Sequence, residues 1–148
     1  MTVRFLAMSI LLSSALLAAP VSAQGDEPSQ TGLVKKPAVG TVHHALIEGL
    51  KLIEEGEFDA WIAQWCSVGK LCYNDNARKA LKKYNLPARK RTVSVCLKGE
   101  RDSVQVTRMN GDPAKDDAVK LFIQCSEDSM PRPFSLHKSA DGWRFTKI

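Results

Sequence analysis

The chain has 148 residues, 44% of them hydrophobic and 25% charged, with a formal net charge of +5. That length and apolar content suit one domain with its own core and are too little for two. A single long apolar run, at the N-terminus, excludes a multi-span membrane protein.

In chain order, the first segment reads MTVRFLAMSILLSSALLAAPVSAQ, with Arg4 ahead of an apolar stretch from Phe5 to Ala19 and small residues at Val21, Ser22 and Ala23. This pattern predicts a secretory signal peptide over 1–23, cleaved after Ala23. The run is shorter than the ~20 residues of a spanning helix, and no cysteine near the cut offers a lipid anchor. The expected product is exported, to the periplasm or outside the cell, with no membrane span after cleavage. Residues 24–40, QGDEPSQTGLVKKPAVG, have no apolar period and read as a flexible leader. The folded unit is then a single domain over 41–148, without internal repeats.

Thr41 is placed to cap a helix through VHHALIEGLKLIEEG, where Val42, Leu46, Leu50 and Ile53 form one apolar stripe and Gly56 ends it. A shorter second helix follows, with Phe58, Trp61, Ile62 and Trp65 on a shared face, broken at Gly69. A third starts at Asn74 or Asp75, carries Ala77, Ala80, Leu81 and Tyr84 on one side, and is expected to stop at Pro87. Basic residues crowd this region. Arg78, Lys79, Lys82, Lys83, Arg89, Lys90, Arg91 and Lys98 fall between Asn76 and Gly99 with no acid among them. The plainer reading is a solvated helix face followed by a basic loop. The functional one is a patch for an anionic lipid, polymer or protein surface, since nucleic acid is not the expected partner outside the cytoplasm.

After Arg89 the period changes to two. TVSVCLK places Val93, Val95 and Leu97 on one face; SVQVTRM places Val104 and Val106; AVKLFIQC places Val119, Leu121 and Ile123; PFSLHK places Phe134 and Leu136; WRFTKI places Trp143 and Phe145. Turn-like connectors, GERD, NGDPAKDD, SEDSMPR and SADG, separate these runs. One apolar face per strand predicts an antiparallel sheet covered on one side. The expected class is α+β: three N-terminal helices packed on a curved antiparallel sheet of four to five strands.

A long first helix, GEFDAW opening a short second one, a third helix, and strands ending in DGWRFTKI resemble the nuclear transport factor 2-like superfamily of cone-shaped α+β domains. The resemblance runs over about 41–148. It implies a bent sheet around the first helix and a ligand held between sheet and helices. Some members are enzymes, and the ketosteroid isomerase branch uses an aspartate base and a tyrosine hydroxyl in an apolar pocket. Here Asp59 and Tyr84 match by residue type only.

An even number of cysteines in an exported chain points to disulfides. Cys66 and Cys72 lack redox spacing, and Cys66 lies at a helix's C-terminal end, where the dipole disfavours a thiolate. The spacings to Cys96 and Cys125 do not suit zinc. Three connectivities remain open. The favoured one pairs Cys66 with Cys72, closing a loop that contains Gly69, and Cys96 with Cys125 by elimination. The second pair carries a conflict. In a simple meander its strands are next-but-one neighbours, too far apart for a disulfide, and the two cysteines sit on opposite parities of their strands. A bulge, a different strand order, or helix-to-strand pairing would resolve it.

Little else carries chemistry. His43 and His44 are adjacent, cannot chelate together from one helix face, and read as a solvated helix start. No phosphate-loop, dinucleotide or hydrolase motif occurs, and Asp112, Asp116 and Asp117 lack calcium-loop spacing. No catalytic residue, metal or cofactor is expected. The leading expectation is a non-catalytic domain that binds a small ligand or a protein partner, with Trp61, Trp65, Tyr84, His137 and Arg144 lining any pocket. The alternatives are an isomerase, cyclase or hydrolase in a cone-fold pocket, and a protein that uses the basic patch on an anionic surface.

Overall fold

The computed structural model describes residues 31–148. The expected signal peptide, 1–23, and the start of the expected leader lie outside the described residues.

The first helix, α1 (Val42–Glu55), begins where expected: the Thr41 side chain accepts from the His44 N–H, and Gly56 closes the other end in the left-handed region at φ 88°. Its burial exceeds the predicted stripe. Besides Val42, Leu46, Leu50 and Ile53, the helix buries His43, Ala45, Ile47 and Gly49, so it is enclosed on more than one side. Helix α2 (Phe58–Trp65) buries Trp61 completely and packs Phe58, Ile62 and Trp65 against the same core.

The third helical stretch departs from expectation. It runs without a break through α3 (Asp75–Ala80), a π-helical turn (Leu81–Asn85) and α4 (Leu86–Ser94). Pro87 does not stop it, because the widened turn just before Pro87 makes room for a ring that would collide with a regular preceding turn. The extra residue in the π turn also resets the phase. Leu81 and Leu86, five apart, are both buried, and Val93 continues the line. Tyr84 is turned outward by the same shift and is 61% exposed. Residues 92–94, expected to open the first strand, are helical; Val95 is 51% exposed, not in line with buried Val93 and Leu97. Positions 93 and 97 satisfy a period of four as well as two, so only Val95 separated the readings. Helix α4 packs along α1, and Lys90 Nζ donates to the Glu55 carbonyl at α1's end at 3.4 Å.

The sheet is open and antiparallel, with β1 (Gly32–Lys35), β2 (Leu97–Lys98), β3 (Ser103–Asn110), β4 (Ala118–Gln124), β5 (Arg132–Ser139) and β6 (Gly142–Lys147). Its order is β1-β3-β4-β5-β6, with β2 also paired to β3. Part of the expected leader is therefore a strand. β1 pairs Leu33 with Gln105 and Val34 with Val104, and Val34 is buried. Four residues are too few for a period to be read, and β3 supplies the pairing that holds them. With β1 and the two-residue β2, the strands among the described residues number six instead of four to five. The inward faces are otherwise as predicted: Val104, Val106, Val119, Leu121, Ile123, Phe134, Leu136, Trp143 and Phe145 are all buried. Burial of each large side chain is worth about 1.5–3 kcal/mol, which is what fixes the α+β packing.

Both disulfides form as favoured, Cys66–Cys72 and Cys96–Cys125. The conflict over the second is resolved by register. β1 and β2 pair with the same β3 residues, Val104 and Ser103, so they lie on opposite edges of β3. The edge taken by β2 is the one β4 occupies further along, as far as the Gln105–Gln124 pair. β2 thus enters the slot that β4 leaves, and Cys96 meets Cys125 there. Two disulfides of this kind are compatible with an oxidising, exported environment.

Among the described residues no helix is long and apolar enough to cross a membrane.

Candidate functional site

The start of α1, the end of α2 and the β5–β6 turn meet around a cleft of about 350 Å³. Its apolar wall is Ala45, Ala63, Trp65 and Trp143, and its polar rim includes Thr41, His44, Gln64, Asp141 and Arg144.

Each wall has a local cause. Gly40, at φ 90°, turns the chain into α1, and Thr41 Oγ1 donates to the Ala38 carbonyl at 2.7 Å while it caps the helix. This fixes His44 on the first turn, half-buried, with its ring edge-on to Trp65 at 6.4 Å between centroids. Arg144 reaches from β6 to the end of α2, where Nη1 donates to the carbonyls of Ala63, at 3.1 Å, and Gln64. A cation on the last carbonyls of a helix complements its dipole and its unpaired acceptors. The segment after α2 then runs beside β6: Cys66 bridges to Phe145, and the Ser67 N–H donates to the Phe145 carbonyl at 2.9 Å. The Cys66–Cys72 loop therefore covers part of an otherwise open sheet edge.

The Trp65 indole Nε1 is buried and has no hydrogen-bond partner among the described residues. The same holds for Trp61 Nε1, but Trp61 lies in the core, stacked at a tilt on Phe145 with 5.4 Å between centroids. A buried donor without an acceptor costs about 1–3 kcal/mol.

The five residues expected to line a pocket are thus divided. Trp65 and Arg144 line the cleft. Trp61 sits beneath it in the core. His137 pairs in register with Arg144 but is not among the lining residues. Tyr84 is on the third helical stretch, with Lys83 Nζ 5.2 Å from its ring centre. Of the residues matching the isomerase pattern by type, Asp59 is exposed and paired with Lys82 at 2.6 Å, and Tyr84 is exposed on the surface of its helix.

The histidine pair also differs from expectation. His43 is 1% exposed, buried because α1 is enclosed, whereas His44 is half-buried in the cleft. Thr41, His44, Gln64 and Asp141 carry no motif that would have marked them. They are joined only by the packing of α1 against the far end of the chain.

The basic residues are only partly engaged. Arg78 pairs with Asp75, Lys82 with Asp59, and Lys90 and Lys98 donate to backbone carbonyls. Asp112, in the β3–β4 turn, is held below the usual carboxylate range by the Ala114 N–H and then by Lys115. No group of three or more His, Cys, Asp or Glu side chains able to hold a metal occurs among the described residues.

No family model, no curated protein and no solved structure matches this chain. What the structure gives is an α+β domain of helices on an antiparallel sheet, compatible with a cone-like fold.

Proposed function

We propose that the chain is an exported, non-catalytic domain of the nuclear transport factor 2-like kind that binds a small ligand in the Trp65 cleft. The order of helices and strands and the enclosure of α1 support the fold-level part. The N-terminal pattern and two disulfides support export.

The observation that carries the ligand reading is the cleft itself, in which Trp65 and Trp143 line the wall and His44 and Arg144 stand at the polar rim. The volume, about 350 Å³, is at the small end of ligand sites. It suits a compact molecule with an apolar body, placed against Ala45, Ala63 and Trp143, and a polar edge at the rim. The space between helices and sheet is filled by Leu46, Leu50, Trp61 and Phe145, all fully buried, so the binding volume lies at the end of the helices.

The test is a screen of small polar–aromatic fragments by NMR on isotope-labelled protein. Binding is expected to move the Trp65 and His44 resonances together, and Trp65→Phe, which shrinks the aromatic wall, to weaken it about five- to tenfold. Hits whose shifts cluster elsewhere, or that bind Trp65→Phe equally well, would overturn the reading.

A further inference from the structure

We propose that the outer face of the third helical stretch is a docking surface for an anionic lipid bilayer. The face is independent of the Trp65 cleft.

Its composition follows from the buried line. Leu81, Leu86 and Val93 point into the core. On a helix a residue two positions away points roughly 160–175° in the opposite direction, including across the π turn. The residues so placed are Lys79 and Lys83 around Leu81, Tyr84 and Ala88 around Leu86, and Arg91 and Val95 around Val93. All six are exposed. The line from Lys79 to Val95 is roughly 24 Å long at helical rise.

Three features select a bilayer. First, the cations are not committed. Among the described residues Lys79 and Arg91 have no carboxylate partner, and Lys83 is engaged only with the Tyr84 ring. Asp59 and Asp75 are paired with Lys82 and Arg78, the sequence neighbours of Lys83 and Lys79. Second, the cations alternate with apolar groups held out of the core: Tyr84 is 61% exposed and Val95 51%. A soluble polyanion needs only the charge. A bilayer also rewards a tyrosine ring and an aliphatic group at headgroup depth, between lysines whose stems lie along the surface. Third, the π turn keeps Leu81, Leu86 and Val93 on one side and their opposites on the other, so the six groups share one face.

The test uses the full chain and sedimentation with vesicles of phosphatidylcholine, alone or containing phosphatidylglycerol. Every variant carries the same N-terminal segment, so differences between variants report the face. Binding to the anionic vesicles is expected to exceed binding to the neutral ones and to fall steeply with salt. Removing each cation should weaken it about fivefold. Lys79→Gln, Lys83→Gln and Arg91→Gln together should therefore cost about a hundredfold. The same change at Lys35, Lys115 and Lys120, which lie on the sheet and its turns, should cost less than tenfold. Tyr84→Ser should weaken vesicle binding severalfold and leave binding to heparin unchanged. Equal losses from the two triple variants would overturn the proposal. So would binding to heparin without binding to vesicles, or a Tyr84→Ser variant with full vesicle affinity. All six substituted lysines and arginines are exposed, so an unchanged melting temperature checks that folding is not what is being read.

Discussion

Cys96 and Cys125 approach to 3.8 Å at Cα because β2 takes up the edge of β3 at the point where β4 gives it up. The disulfide joins the end of α4 to the end of β4, so it fastens the helical layer to the sheet. It spans 29 residues, against 6 for Cys66–Cys72. On the chain-entropy account the longer closure stabilises by about 3–4 kcal/mol and the shorter by about 2. Replacing Cys96 and Cys125 by serine is therefore expected to cost about 1 kcal/mol more than replacing Cys66 and Cys72. Urea denaturation of the two double variants measures this, and the reverse order would contradict it.

The π turn makes a second expectation. Deleting Tyr84 would turn the five-residue step from Leu81 to Leu86 into a four-residue one, which keeps both leucines on the buried face of a regular helix. Pro87 would then sit in an ordinary helix interior, at a cost of about 3 kcal/mol. Deletion alone should destabilise by about that amount, and Pro87→Ala in the deleted background should recover most of it. If Pro87→Ala gives no rescue in a thermal melt, the turn is not there to accommodate the proline.

Gly49 faces the Phe145 ring so closely that an added Cβ would overlap it. Alanine is the better helix former by about 1 kcal/mol, yet overpacking a filled core costs about 1–3 kcal/mol. Gly49→Ala should be destabilising on balance by chemical denaturation. Gly49→Ala with Phe145→Leu should be less so than the two single changes added together. A stabilised Gly49→Ala protein would mean that the ring does not rest on this backbone.

Arg144 ties β6 to the last carbonyls of α2, and its loss leaves those acceptors to water. Arg144→Met should cost about 1–2 kcal/mol. Amide exchange is expected to quicken at the end of α2 and in the Cys66–Cys72 loop before it does in α1. Uniform acceleration would place the effect in global stability instead.

Asp112 gives a pH expectation. Its folded-state pKa is lowered, first by the Ala114 N–H and then by Lys115. A depressed carboxylate contributes stability that is complete above the unfolded value of ~3.9 and is lost as pH falls through the lower folded value. An NMR titration should place the Asp112 midpoint below ~3.9, and Lys115→Ala should move it upward. A midpoint unmoved by that substitution would assign the effect to the backbone contact alone.

Much of this molecule is legible in the amino-acid sequence. The caps at Thr41 and Gly56, and the inward faces of β3 to β6, are local matters. A capping hydroxyl acts within three residues, and side chains alternate along a strand wherever that strand is placed. The α+β class follows from those local signals in order.

What could not be read locally depends on neighbours distant in sequence. Val93 and Leu97 satisfy a helix and a strand equally, and only the packing of α4 on α1 decides between them. Gly32–Lys35 is a strand because β3 is beside it, and His43 is buried because α1 is enclosed. The pairing of Cys96 with Cys125 waited on which edge of β3 was free. The cleft is the extreme case. His44 and Arg144 lie at opposite ends of the folded chain and meet only through the end of α2. No spacing in a linear sequence encodes such a contact, because it is made by layers closing over a shared core.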